Sequence, residues 1–94
     1  MKISELKAGT GSVNVEGSVD DIEATREINK YGRVLRVANA TLQDDSGSIT
    51  LVLWNDQIEQ VKKGDKVKIE NGYVNEWQNK PQLTLGKFGR MTIL

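Results

Sequence analysis

The chain has 94 residues, of which 37% are hydrophobic and 28% charged, the composition of one ordinary globular domain. It has no Cys and no His, which excludes disulfides, zinc-finger sites, Cys or His nucleophiles and His acid–base chemistry. Thirteen Lys and Arg balance thirteen Asp and Glu, so no overall basic charge points to nucleic acid.

No apolar run approaches the ~18 residues that span a bilayer. The opening "MKISELKAG" lacks the apolar stretch of a signal peptide. An intracellular protein without a membrane partner is expected. The distribution of charge says more than its total. Residues 26–36 hold Arg26, Lys30, Arg33 and Arg36 against Glu27, and residues 77–94 hold Lys80, Lys87 and Arg90 with no acid. Each segment carries +3, while acids collect elsewhere, as in "EGSVDDIE", Glu16 to Glu23. If folding joins the two basic segments they make one positive face; otherwise they are scattered solvated charges.

In chain order, Val13 and Val15 alternate with polar residues, Gly17 interrupts, and Val19 and Ile22 follow. This predicts a strand with a bulge or bend at the glycine. "INKYGR", Ile28 to Arg33, reads as a loop. "VLRVANATLQ", Val34 to Gln43, predicts a second strand with Ala38, Ala40 and Leu42 on one face and Val37, Asn39 and Thr41 on the other. "DDSGS" is a polar turn; it lacks the ligand spacing of a calcium loop, and no metal or cofactor is expected. "ITLVLW", Ile49 to Trp54, is the third strand and closes a hairpin with the second.

If Ile49, Leu51 and Leu53 face the core, Thr50, Val52 and Trp54 face away from it. A one-residue slip in register would instead bury Trp54. "DQIEQVKK", Asp56 to Lys63, predicts a helix of about two turns, with Asp56 and Glu59 in capping-box spacing and Gly64 as its stop. Ile58 and Val61 seal it to the core. "DKVKIENGYV" is the fourth strand, with Val67 and Ile69 inward. Tyr73 shares their parity and is a core residue unless Asn71–Gly72 forms a bulge. "NEWQNKP", Asn75 to Pro81, is a polar loop carrying Trp77. "QLTLGKFGRMTIL" is the last strand, with Leu83 and Leu85 inward and Gly86 and Gly89 letting it bend.

The order is β-β-β-α-β-β. A single helix between strands three and four, a bulged first strand and a bent last strand suit an all-β, five-stranded Greek-key barrel. An SH3-like barrel usually lacks a helix at that point.

At this stage Leu42 to Leu85 resembles the OB-fold single-stranded DNA-binding domains of replication protein A and of the archaeal simple single-stranded DNA-binding proteins. The resemblance rests on "DDSG", on Trp54 closing a strand before a short polar helix, on "GDKVKI", and on an aromatic-bearing segment before the last strand. "KISELKAGTGSVNVEGSV" resembles the family's opening strand, so residues 1–94 are expected to form a single OB-fold nucleic-acid-binding domain.

The resemblance implies that Trp54, Tyr73 and Trp77 stack on bases and that Tyr31 closes over the ligand from the other side. The candidate phosphate contacts are Arg26, Lys30, Arg33, Arg36, Lys80, Lys87 and Arg90. Arg33, Arg36 and Lys80 are favoured because they sit beside the loops that flank the groove. Relatives often continue into a disordered tail, which is not visible here. The chain is read either as one module of a longer protein or as a short stand-alone homologue.

The resemblance therefore implies a non-catalytic binder of single-stranded DNA in replication, recombination or repair, with little sequence preference. Other OB domains or replication and repair proteins are its expected partners, in the cytoplasm and nucleoid if the source is prokaryotic. An RNA-binding, transfer-RNA-type OB domain and a peptide-binding OB module remain open. No nucleophile–base pair or phosphate-cradling glycine motif suggests an enzyme.

Overall fold

The computed structural model describes residues 2–85 and 89–94. Among these described residues, seven strands and one short α-helix run in the order β1 (Val13–Ile22), β2 (Arg26–Lys30), β3 (Arg33–Asp44), β4 (Gly47–Trp54), α1 (Gln57–Gln60), β5 (Lys66–Trp77), β6 (Lys80–Thr84) and β7 (Arg90–Ile93). β1 pairs antiparallel with β3 and with β5, β3 with β4, and β5 with β6, while β4 and β6 pair in parallel. The circuit β1-β3-β4-β6-β5-β1 therefore closes on itself, as the five-stranded barrel expectation requires. β2 is added to β3, and β7 to β5.

Closure depends on one strand serving two neighbours. β1 pairs with β5 through Ser18 and with β3 from Ser18 onward. At the crossover the strands crowd: a Cβ on Gly17 would stand 2.7 Å from the Gln43 carbonyl oxygen. Only glycine admits so close an approach of backbone.

Inside the ring, Val13, Val15 and Val19 meet Ala40 and Leu42, Ile49, Leu51 and Leu53, Val67, Ile69 and Val74, and Leu83 and Leu85. Each fully buried Leu or Val contributes roughly 1.5–3 kcal/mol. Ile3 and Leu6, from a 3₁₀ turn at Ile3–Glu5, close one part of this core. That turn is tied down by Asp44. Its Oδ2 accepts the Ile3 N–H at 3.0 Å, and its Oδ1 accepts the N–H groups of Ser46 at 2.7 Å and Gly47 at 3.1 Å. These donors, the Ile3 N–H foremost and then the Ser46 hydroxyl, pull the Asp44 carboxyl down from 3.8 to about 2.

Several expected boundaries move. Ile28–Arg33 is not a loop: β2 and β3 form a hairpin turned by Tyr31 (φ 52) and Gly32 (φ 73), the positive-φ pair that matches strand twist. Asn75–Pro81 is likewise the tip of the β5–β6 hairpin, turned by Gln78 and Asn79, both at positive φ. The expected bent last strand is two strands: β6 lies between β4 and β5, and β7 pairs with an earlier stretch of β5. Of the residues named in it, Gly86 and Lys87 lie outside the described residues.

The helix has one turn, not two, and Asp56 makes no side-chain cap. Val61 leaves the helix in extended conformation (φ −130, ψ 146), and its side chain is buried in the core. Ile58 packs partly buried against the same cluster.

Candidate nucleic-acid interface

The outer face of the ring follows from register. Arg26 pairs with Val37 and Val37 with Trp54, so β2, β3 and β4 place these three side chains in one row. The next row runs Asn39, Val52, Thr84, Tyr73, and the next Thr41, Thr50, Gln82, Asn75. Trp77 and Lys80 face each other at the end of the β5–β6 hairpin. An aromatic ring therefore borders each side of a floor of small polar residues and two valines. Val37 and Val52 are 3% and 8% exposed and stand outside the main core cluster, and register with Trp54 and with Asn39 and Thr84 puts them on the outer face.

Trp54, Tyr73 and Trp77 are 36%, 46% and 54% exposed. Trp54 holds the parity read from Ile49 and Leu51. Tyr73 is outside the core because β5 carries an extra residue. Val13 pairs with Gly72 but Val15 pairs with Ile69, so three steps on β5 answer two on β1. Asn71 is that extra residue, at φ 55, with its N–H donated to Asn14 Oδ1 at 3.2 Å. The bulge reverses parity, so Gly72 and Val74 turn inward and Tyr73 outward.

Trp54 and Trp77 line one concavity together with Arg26, Ile28, Val37, Asn39, Val52 and Gln82. An adjoining concavity joins Trp77 and Lys80 to Thr41 and Thr50, with Asp21 and Glu23 on its rim. The β2–β3 hairpin prolongs the face beyond the ring. By alternation Arg26, Ile28 and Lys30 share a side with Arg33, Leu35 and Val37, whereas Glu27 falls on the reverse side with Arg36. The groove side of this arm thus carries three cations and no carboxylate.

The expected cations therefore divide. Arg33, Lys30 and Lys80 lie along the face, as does Arg26. Arg36 does not: it leaves β3 on the side opposite Val37 and meets α1, where Nη1 donates to Glu59 Oε1 at 2.8 Å and Nη2 stands 3.8 Å from Asp56. Alternation from Val37 decides its side. Arg90, on β7, pairs with Glu70 of β5, upstream of the Asn71 bulge that turns Tyr73 outward. Lys87 lies outside the described residues. Tyr31 sits at the tip of the arm, 91% exposed, with Lys30 Nζ 5.6 Å from its ring centroid, a cation–π distance.

Ile28 and Gln82 escaped the sequence reading. Gln82 lies in a recognised strand, but nothing in its type marks it. The signal for Ile28 was "REINK" mirrored by "RVLRV" across Tyr31–Gly32, a two-residue hairpin turn.

Comparisons with known proteins agree with the fold. The chain is 32% identical over 85 residues to the single-stranded DNA binding protein Ssb of Saccharolobus solfataricus, a match that covers 90% of this chain and 57% of that relative's length. Its fold superimposes on the OB domain of Ta0387 from Thermoplasma acidophilum with a TM-score of 0.86 at 23% identity, covering 100% of this chain and 85% of the other. It also superimposes on the second OB-fold domain of replication protein A from Methanococcus maripaludis, with a TM-score of 0.80 at 28% identity, over 100% of this chain and 93% of that one. A family model described as OB-fold nucleic acid binding domain matches residues 13–89. The chain belongs to that family of OB-fold nucleic-acid-binding domains.

Proposed function

We propose that this chain binds single-stranded DNA without catalysis and with little sequence preference, laying the strand across the outer face of β3, β4 and β6 and along the β2–β3 arm. The observation that carries this reading is the shared concavity of Trp54 and Trp77 over Val37 and Val52, with Arg26 on its edge. Unpaired bases offer flat apolar faces, and stacking on an aromatic ring stabilises each by about 1–3 kcal/mol. In this reading Trp54, Trp77 and Tyr73 stack on bases, and Arg26, Lys30, Arg33 and Lys80 neutralise phosphates. Tyr31 closes over the strand from the tip of the arm.

The single-stranded DNA-binding activity named for the Saccharolobus relative supports the assignment. The Methanococcus neighbour is the second such domain of its protein, which supports a role beside further OB modules in replication, recombination or repair. One module covers few nucleotides, so several linked copies give tight binding through effective concentration.

The test is a fluorescence titration. Oligo-dT quenches Trp54 and Trp77, and added salt reverses the quenching. Emission that stays constant with oligo-dT at low salt would refute stacking and favour a peptide ligand. Equal or stronger quenching by oligo-U would reassign the groove to RNA.

A further inference from the structure

Trp54 ends β4, and the chain turns away from it through a left-handed corner at Asn55, φ 51. Arg36 grips this corner twice. Its backbone N–H donates to Asn55 Oδ1 at 3.0 Å, and its carbonyl accepts the Asn55 N–H at 2.9 Å. Its guanidinium then reaches the far end of the same segment, donating to Glu59 Oε1 at 2.8 Å with Asp56 at 3.8 Å. The Trp54 backbone N–H itself donates to Gln57 Oε1 at 3.0 Å, inside the gripped segment. A helix of four residues has almost no stability of its own. What holds Asn55–Gln60 in place is Ile58 against the core and Arg36 across the corner.

We propose that Arg36 is a positioning residue for base stacking: it clamps Asn55 and Glu59 from the back of β3 and so fixes the corner that aims Trp54 across the groove, without touching phosphate. The inference rests on the groove being the single-stranded DNA site. It assigns a basic residue favoured from sequence as a phosphate contact a structural duty that its charge alone does not suggest. Two carboxylates already neutralise the guanidinium, and it projects from the side of β3 opposite Val37.

Arg36→Gln, Glu59→Gln and the double variant are titrated with fluorescently labelled oligo-dT at several salt concentrations. In parallel, acrylamide quenching of Trp54 is measured without DNA in a Trp77→Phe background. A clamp predicts that each single variant weakens binding about two- to fivefold, the scale of an exposed ion pair. It predicts that the double variant is no worse than either single one and that the salt dependence stays that of the unaltered chain. Acrylamide reaches Trp54 more readily in all three.

Glu59→Gln decides the sign. If Arg36 bound phosphate, removing its carboxylate partner would free it and tighten binding. Tighter binding, or a shallower salt dependence in Arg36→Gln, overturns the clamp. Unchanged acrylamide quenching overturns it whatever the DNA result, whereas failure of the unaltered chain to bind oligo-dT refutes only the reading of the groove.

Discussion

Salt dependence reads out how many cations the outer face directs at phosphates. Arg26, Lys30 and Arg33 share the groove side of the β2–β3 arm, and Lys80 faces Trp77 at the other hairpin. With four phosphate contacts on a single strand, the slope of log affinity against log salt is about −2.8, at about −0.7 per contact. Raising salt fourfold, from about 50 to about 200 mM, then weakens binding about 50-fold. Arg33→Ala flattens the slope by about 0.7, to about −2.1. Arg36→Gln, whose guanidinium is occupied by Glu59 and Asp56, leaves it alone. Fluorescence polarisation of a short labelled oligo-dT at five or so salt concentrations measures all three slopes. A slope near −0.7, equal slopes for Arg33→Ala and the unaltered chain, or a larger change from Arg36→Gln would refute the division of cations between the two sides of β3.

Trp54→Ala and Trp77→Ala each lower affinity for oligo-dT by about five- to 150-fold, the loss of one stacked base, with the unfolding midpoint little changed because both rings are exposed; isothermal titration and thermal melts check the pair. Gly17→Ala destabilises by about 1–3 kcal/mol through overpacking, since its Cβ would meet the Gln43 carbonyl oxygen at 2.7 Å and Leu42 Cδ1 at 3.1 Å. Its melting midpoint falls by at least about 4 °C, and an unchanged midpoint would show that β1 and β3 separate freely. Asp44 titrates near 2 when folded against its ordinary 3.8, so its contribution is complete above about pH 4 and lost as pH falls from there toward 2. Asp44→Asn removes that component, and denaturant melts at neutral and acid pH should show the variant's deficit shrinking with acidity.

The sequence made some of this site legible and hid the rest for physical reasons. The two central strands were readable because each alternates a buried and an outward face without interruption. Ala38, Ala40 and Leu42 against Val37, Asn39 and Thr41 fix one strand, and Ile49, Leu51 and Leu53 against Thr50, Val52 and Trp54 fix the other. Parity on β5 failed beyond Ile69 because a single residue at positive φ, Asn71, resets it. Asparagine tolerates that conformation, but the sequence alone offered it only as one of two outcomes for Tyr73.

The β2–β3 arm was hidden for a different reason. β2 buries nothing, so hydrophobic periodicity, the main signal for a strand, was absent, and pairing to β3 alone creates it. The helix was overdrawn because Asp56 and Glu59 have the spacing of a capping box. Their carboxylates are drawn instead to Arg36, a residue distant in sequence. Arg36 was favoured as a phosphate ligand for its place beside a loop, but strand parity puts it on the other side of β3, where that pair occupies its guanidinium.

Amide and indole NMR shifts recorded while oligo-dT is added to the ¹⁵N-labelled chain test the central claim most directly. The largest shifts should fall on both tryptophan indole N–H groups and on the amides of residues 26–39, 50–54 and 73–84. Shifts centred instead on the amides of β1 and β7, with both indole resonances unmoved, would contradict it.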